Sequence, residues 1–260
     1  MNVLGGTTDF FGLDIGSSGV RLVQLRGSGA TKALVKYAYM PLDGNIALSD
    51  AKADQTKLGQ AIKQLISQAG LSTKNVAVGV PSAKVFTTVA DVDRLSRDEL
   101  ARAIRYQADA LIPTPLAESK IDWALLGDSP TDKTKVEILL SSVTNKFVED
   151  RLDMLEGIGL NVIAFEPDNL ALARALLAAD APGAQLVIDM GQKSTDLVIT
   201  LGGLPRLTRA IPTGQEAVVR AAAQNLSVDE KQASQFVMKF GLSKDKLEGQ
   251  VVQAISGTID

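Results

Sequence analysis

Two short stretches of this chain carry a carboxylate into a glycine-containing turn. In "LDIGSSGVRL" Asp14 is followed by Gly16, Ser17, Ser18 and Arg21, and in "VIDMGQKSTDL" Asp189 is followed by Gly191, Lys193, Ser194 and Thr195. Small residues that tolerate unusual φ let backbone N–H groups and hydroxyls come close to an anion, and phosphate suits such a nest. A carboxylate beside a polyphosphate is repulsive unless a cation intervenes. Mg²⁺ is commonly held through one or two carboxylates plus phosphate oxygens while keeping several waters, a role open to Asp14 and Asp189. A plainer role is open too, because Asp and Gly suit turns of any kind and each Asp can cap its own. The recurrence of the pattern, each time opening a meander that is followed by helices, favours shared chemistry.

Other charged residues have two roles open to them. Lys193 can meet a phosphate or stand in water as a turn lysine. Arg21 can counter phosphate charge or pair with a nearby acid. Glu166 and Asp168 in "FEPDNL" can position water, but acidic residues stabilise any helix N-terminus, and the helix explanation is favoured.

Composition narrows the chemistry further. The 260 residues are 45% hydrophobic and 22% charged, enough for one large domain or two modest ones. Cysteine and histidine are both absent, which removes disulfides, thiolate or imidazole metal sites and His-dependent triads. Catalysis of any kind must rest on carboxylates, Lys, Arg, hydroxyls and a hard cation. A net charge of −3 offers no general grip on nucleic acid. "MNVLGGTTDF" lacks a signal-peptide pattern and no apolar stretch approaches the length of a spanning helix, so a cytoplasmic location is expected.

These residues need elements to hold them. Residues 10–41 alternate as three strands with turns at "GSSG" and "RGSGAT", and "QTKLGQAIKQLISQAG" repeats apolar positions at helical spacing. "NVAVGVP" is a short strand with Val76, Val78 and Val80 on one face. A second block from about Ser82 reads strand, helix, strand, strand, helix. Its first helix is marked by a Ser96/Glu99 capping box with Leu95 and Leu100 as a staple, and its last, "NKFVEDRLDMLEG", stops at Gly157. The strand "NVIAF" leads into a Pro-initiated helix "PDNLALARALLAA", and "DAPGA" marks a boundary. Beyond it a second meander turns at "GQKST" and "GG".

"LDIGSSGVRLVQL" and "VIDMGQKSTDLVI" resemble the two phosphate motifs of the actin, sugar kinase and heat-shock chaperone superfamily. More narrowly, "GLDIGSSGVRLVQL", "VPSAKVFTTVADVDRLSRDELARAIRYQADALIPTPLAE", "FEPDNLALARAL" and "PRLTRAIPTGQEAV" are similar to the PilM family of type IV pilus assembly, from about residue 10 to the end. That resemblance implies an α/β, actin-like (ribonuclease H-like) duplicated fold. The first lobe would span 1–183, with a small α+β subdomain inserted at about 82–162, and an incomplete second lobe would span 184–260. It implies ATP and Mg²⁺ in the cleft between lobes, and a partner in the N-terminal cytoplasmic tail of a PilN-like membrane protein. An extended tail can add to a sheet edge or lie in an apolar groove between subdomains, and the edge of the first meander and its junction with the inserted block, around Val85, Phe86 and Thr87, are places for it. Two departures bear on nucleotide affinity. The family's Gly-rich adenosine motif is missing from this chain, and Ser234 and Val237 stand where relatives often carry Glu and Lys. Losing such contacts costs roughly 1–3 kcal/mol each.

Three functions from different classes follow: an ATP-binding scaffold that turns nucleotide over slowly if at all, a nucleotide-independent interaction scaffold, and a small-molecule kinase. Phosphoryl transfer needs a positioned nucleophile. No residue stands out as its base, and the kinase further lacks a recognisable sugar pocket.

Overall fold

The computed structural model describes residues 9–27, 31–43 and 45–259. The turn "RGSGAT" lies partly outside these residues and the segment "MNVLGGTTDF" mostly so. The described residues fall into two compact units, one within Met1–Val187 and Leu197–Arg209, the other within Ile188–Asp196 and Ala210–Asp260. Among the described residues no helix is long and apolar enough to cross a membrane.

The first unit is built on strands whose alternation sorts side chains onto two faces. Strands β1 (Phe11–Gly16), β2 (Gly19–Arg26) and β3 (Ala33–Pro41) form the meander, β4 (Asn75–Val80) and β8 (Asn161–Pro167) extend it, and the order is β3-β2-β1-β4-β8. β1 pairs antiparallel with β2 but parallel with β4, which in turn pairs parallel with β8. One face buries Phe11, Leu13, Ile15, Val20, Leu22, Val76 and Val78. Against it packs helix α1 (Lys52–Ala69) through Leu58, Ile62 and Leu65, at the helical spacing read from the sequence. Each such buried side chain contributes about 1.5–3 kcal/mol.

The inserted block forms its own sheet, β5 (Val85–Asp93), β6 (Ser119–Asp128) and β7 (Lys135–Thr144), in the order β5-β7-β6. Helix α2 (Arg97–Leu111) lays Leu100, Ile104 and Ala108 over Val92, Val136, Ile138 and Leu140. Its capping box forms, with the Glu99 carboxylate accepting from the Ser96 N–H (3.1 Å) and hydroxyl. Leu100 is buried, whereas Leu95 is exposed. Helix α3 (Asn145–Gly157) closes the block in sequence, yet its Leu155 belongs to the core under the five-stranded sheet.

Helix α4 (Asp168–Leu176) is shorter than its alanine-rich sequence predicts. Leu177 is extended. The third sheet, β9 (Ala184–Met190), β10 (Thr195–Leu201) and β11 (Leu204–Ile211) in the order β11-β10-β9, explains why. Its hairpin turns on Gly202 and Gly203, both at positive φ (59° and 77°), the pair a tight primed turn demands. A Cβ on Gly203 would lie 2.0 Å from the Ala179 carbonyl oxygen. This contact draws Ala178 and Ala179 away from helical geometry, a tertiary override of propensity.

In the second unit, helices α5 (Gln215–Leu226), α6 (Glu230–Phe240) and α7 (Gln250–Ile259) share a core of Val218, Ala222, Ala233, Ala254 and Ile255. The third was legible in Val251, Ala254 and Ile255, buried at i, i+3 and i+4.

Candidate functional site

The first corner is a two-residue turn. β1 and β2 pair out to Gly16 opposite Gly19, leaving Ser17 and Ser18 as the turn. The same register sets Asp14 directly across from Arg21, and the β2–β3 register sets Arg21 across from Tyr39. Three side chains from three strands therefore share one face. The Arg21 guanidinium donates to the Asp14 carboxylate at 3.0 Å and to the Ser18 hydroxyl at 2.8 Å. It lies 5.2 Å from the centre of the Tyr39 ring, whose hydroxyl donates to the Ser18 carbonyl at 2.9 Å. Gly19 admits that ring, since a Cβ there would come within 2.6 Å of it.

The parallel course of β1, β4 and β8 brings their carboxyl ends to one edge, where ligands of open α/β sheets characteristically bind. Asp14 sits on that edge. A Cβ added to Gly79 would be 3.8 Å from the Asp168 side chain and 4.0 Å from the Asp14 backbone, so the first residue of α4 stands near the corner. Asp168 accepts from the Asn169 N–H at 2.7 Å, the Ser82 N–H at 3.0 Å and the Ser82 hydroxyl, tying the end of β4 to the start of α4. Glu166 receives both arms of Arg174, and this pairing holds the guanidinium above its ordinary pKa against the lowering effect of burial. Asp168 thus serves the start of α4, as expected, whereas Glu166 pairs with an arginine in the last turn of that helix rather than with its N-terminus.

The second corner is organised by its own backbone. The Gly191 N–H donates to the Ser194 carbonyl at 2.8 Å and closes the turn. The Gly191 and Gln192 carbonyls accept from the Gln215 and Glu216 N–H groups at 3.0 and 2.9 Å, so the first turn of α5 is docked on the loop. Gly214 permits this approach: a Cβ there would fall 2.6 Å from the Gly191 oxygen. The Thr195 hydroxyl donates to the Thr213 carbonyl at 2.7 Å. Asp189 is exposed on β9, and Lys193 and Ser194 are half-buried.

A sequence profile of the family described as type IV pilus assembly protein PilM matches residues 12–204. The chain belongs to the PilM family. Among solved structures it is similar to the PilM–PilN type IV pilus biogenesis complex, at 25% identity and a TM-score of 0.76, over 94% of this chain and 73% of that one. Two more distant structures share the fold. One is the cytoplasmic domain of EpsL from the Vibrio cholerae type II secretion system (13% identity, TM-score 0.51, 82% of this chain and 75% of that). The other is the ethanolamine utilization protein EutJ from Carboxydothermus hydrogenoformans (15%, TM-score 0.52, 96% and 66%). The α/β actin-like fold expected from the paired motifs is thus that of the molecule.

For this PilM-family chain the sequence placed Asp14, Ser18 and Arg21 at one corner and left open whether Arg21 meets phosphate or a nearby acid; the structure joins the three in one hydrogen-bonded cluster. Tyr39 was missed, although strand alternation places it on the Arg21 face once the register is known. Ser82 and Gly214 were missed as well; the Thr-Gly step before α5 was the available signal for the latter. Val237 packs against the α5–α7 core. Of the residues suggested for partner docking, Phe86 is partly exposed at 36%, while the Thr87 hydroxyl is hydrogen-bonded to that of Thr208. Among the described residues no group of three carboxylates could hold a metal alone.

Proposed function

We propose that this chain is a cytoplasmic scaffold of type IV pilus assembly. It docks the N-terminal cytoplasmic peptide of a PilN-like inner-membrane protein and is tied to the membrane through that partner. The observation that carries the proposal is the similarity, over 94% of the chain, to the PilM of a PilM–PilN complex. An extended tail can bind by adding to a sheet edge or filling a groove beside one, and β3 and β5 are both edge strands. The test is capture of the protein by a synthetic peptide of about ten residues from the cytoplasmic start of the cognate PilN-like protein. Saturable binding that a scrambled peptide does not reproduce supports the reading; equal capture by both peptides overturns it.

We further propose that the two strand–turn corners hold ATP with Mg²⁺. Gly16, Ser17, Ser18 and Arg21 would serve the phosphates at one corner, and Gly191, Lys193, Ser194 and Thr195 at the other, with Asp14 and Asp189 on the cation through water. The duplicated motif supports this. With no assigned base, turnover is slow or absent. A ligand bound to the folded state raises the melting temperature, so ATP should do so more with Mg²⁺ than without. Asp14→Asn should weaken Mg²⁺–ATP binding by about tenfold. The rival reading, a scaffold indifferent to nucleotide, is favoured by the packing of Val237 and predicts no shift at all.

A further inference from the structure

Strand β3 ends the five-stranded sheet, and among the described residues no strand pairs with its outer side. An edge strand presents a row of unpaired N–H and C=O groups, which folded proteins guard with charged side chains, proline or a bulge. β3 carries one charge along Ala33–Pro41, and that charge is committed elsewhere: the Lys36 ammonium donates to the Gly70 carbonyl at the end of α1. The bulge between β2 and β3 falls beyond Lys36, and Pro41 closes the strand. Residues 36–40 are therefore a regular edge without a guard. The face beside it is apolar. The register sets Val23 across from Tyr37, Arg21 from Tyr39 and Leu25 from Leu34. Alternation turns Val23 and Tyr37 away from the face that buries Leu22. Tyr37 is 74% exposed, Leu34 57% and Tyr39 52%, with Val23 and Leu25 exposed behind them. These side chains leave roughly 500–600 Å² of largely apolar surface in water, at the upper end of what a monomer shows.

We infer that β3 pairs with β3 of a second copy of this chain, antiparallel and across a twofold axis, so that two five-stranded sheets continue as one. Centred on Ala38, the pairing sets Tyr37 of each copy beside Tyr39 of the other, and aromatic cross-strand pairs of this kind are favourable. Lys36 then falls opposite Met40, so no charge on the strand meets its like. The apolar face and the covered edge together approach the roughly 800 Å² per partner of a standard interface. A foreign strand would have to bring a matching apolar face of its own, whereas a second copy brings it by symmetry. Such a contact uses the same patch on both partners and closes at two copies. The inference goes beyond the peptide reading above and leaves β5 as the edge open to the tail.

The test is sedimentation velocity of the whole chain from about 1 to 100 µM. The wild type should pass from monomer to dimer across that range. Tyr37→Lys, which puts a charge on the edge at an exposed position, should raise the dimer dissociation constant at least about tenfold, and Tyr37→Phe should keep it within about twofold. Thermal unfolding verifies that each variant is folded. The chain has no cysteine, so introduced thiols report the contact by themselves. An equimolar mixture of Tyr37→Cys and Tyr39→Cys chains should oxidise to a mixed disulfide dimer faster than either variant alone. A wild type that stays monomeric throughout, a dimer that Tyr37→Lys leaves intact, or a mixture that cross-links no faster than its components overturns the inference. A monomeric wild type whose capture by the PilN-like peptide is abolished in Tyr37→Lys assigns β3 to the peptide, which overturns the inference and leaves the scaffold reading standing.

Discussion

Arg151 shows how much one side chain can be asked to do without any part in a ligand site. It is buried in α3 with only 4% of its surface exposed, and its guanidinium lies 5.3 Å from the Phe147 ring centre and donates to the Ala47 carbonyl at 2.9 Å. Its Nη1 finds no acceptor among the described residues. Burial lowers its pKa to about 10, against a smaller opposing pull from Asp50. Arg151→Ala should cost about 2–4 kcal/mol in urea unfolding, by opening a void and orphaning the Ala47 carbonyl. The sign of the pH effect follows from linkage. The folded state binds the proton less tightly than the unfolded chain, so this group's contribution to stability rises as pH climbs through the folded value. The gap between wild type and variant should therefore widen from about pH 9 to pH 11. Nothing in "EDRLDM" announces a buried arginine, because a lone Arg among acids on a helix reads as a solvated face.

Elements were legible where local periodicity and turn chemistry decide them, and less so where another element intervenes. The meanders, the two glycine turns and the capped α2 all follow from alternation and cap residues. The end of α4 did not, since Ala178 and Ala179 are good helix formers whose conformation is taken over by the hairpin at Gly203. The junction between the second corner and α5 is of the same kind. It requires Gly214 because the loop carbonyls must reach the helix N–H groups, and the 2.6 Å approach leaves no room for a methyl. Gly214→Ala should destabilise that unit by about 1–3 kcal/mol, read as a lower melting temperature and faster amide exchange at Gln215 and Glu216. If those amides stay protected, the helix is not held by the loop.

At the scale of the molecule the two units differ in what holds them. The five-stranded sheet buries Phe, Leu, Ile and Val side chains from three strands and two helices, whereas the core of the helical unit is largely alanine and valine. Less apolar area is buried there per residue, and stability follows that area. Native-state hydrogen exchange should show α5–α7 opening at lower free energy than β1, β4 and α1. Uniform protection across both would contradict this account of the cores.

The sequence by itself determined the strands and most helices, the strand–Asp–x–Gly corners and the resemblance to the PilM family, because these depend on spacing over a few residues. Only the tertiary structure decided that Arg21 answers Asp14 above Tyr39, that α3 packs under the main sheet although it closes the inserted block, and that Arg151 is buried. Each of these is set by register and packing between segments distant in the chain, and such contacts leave no trace in local periodicity.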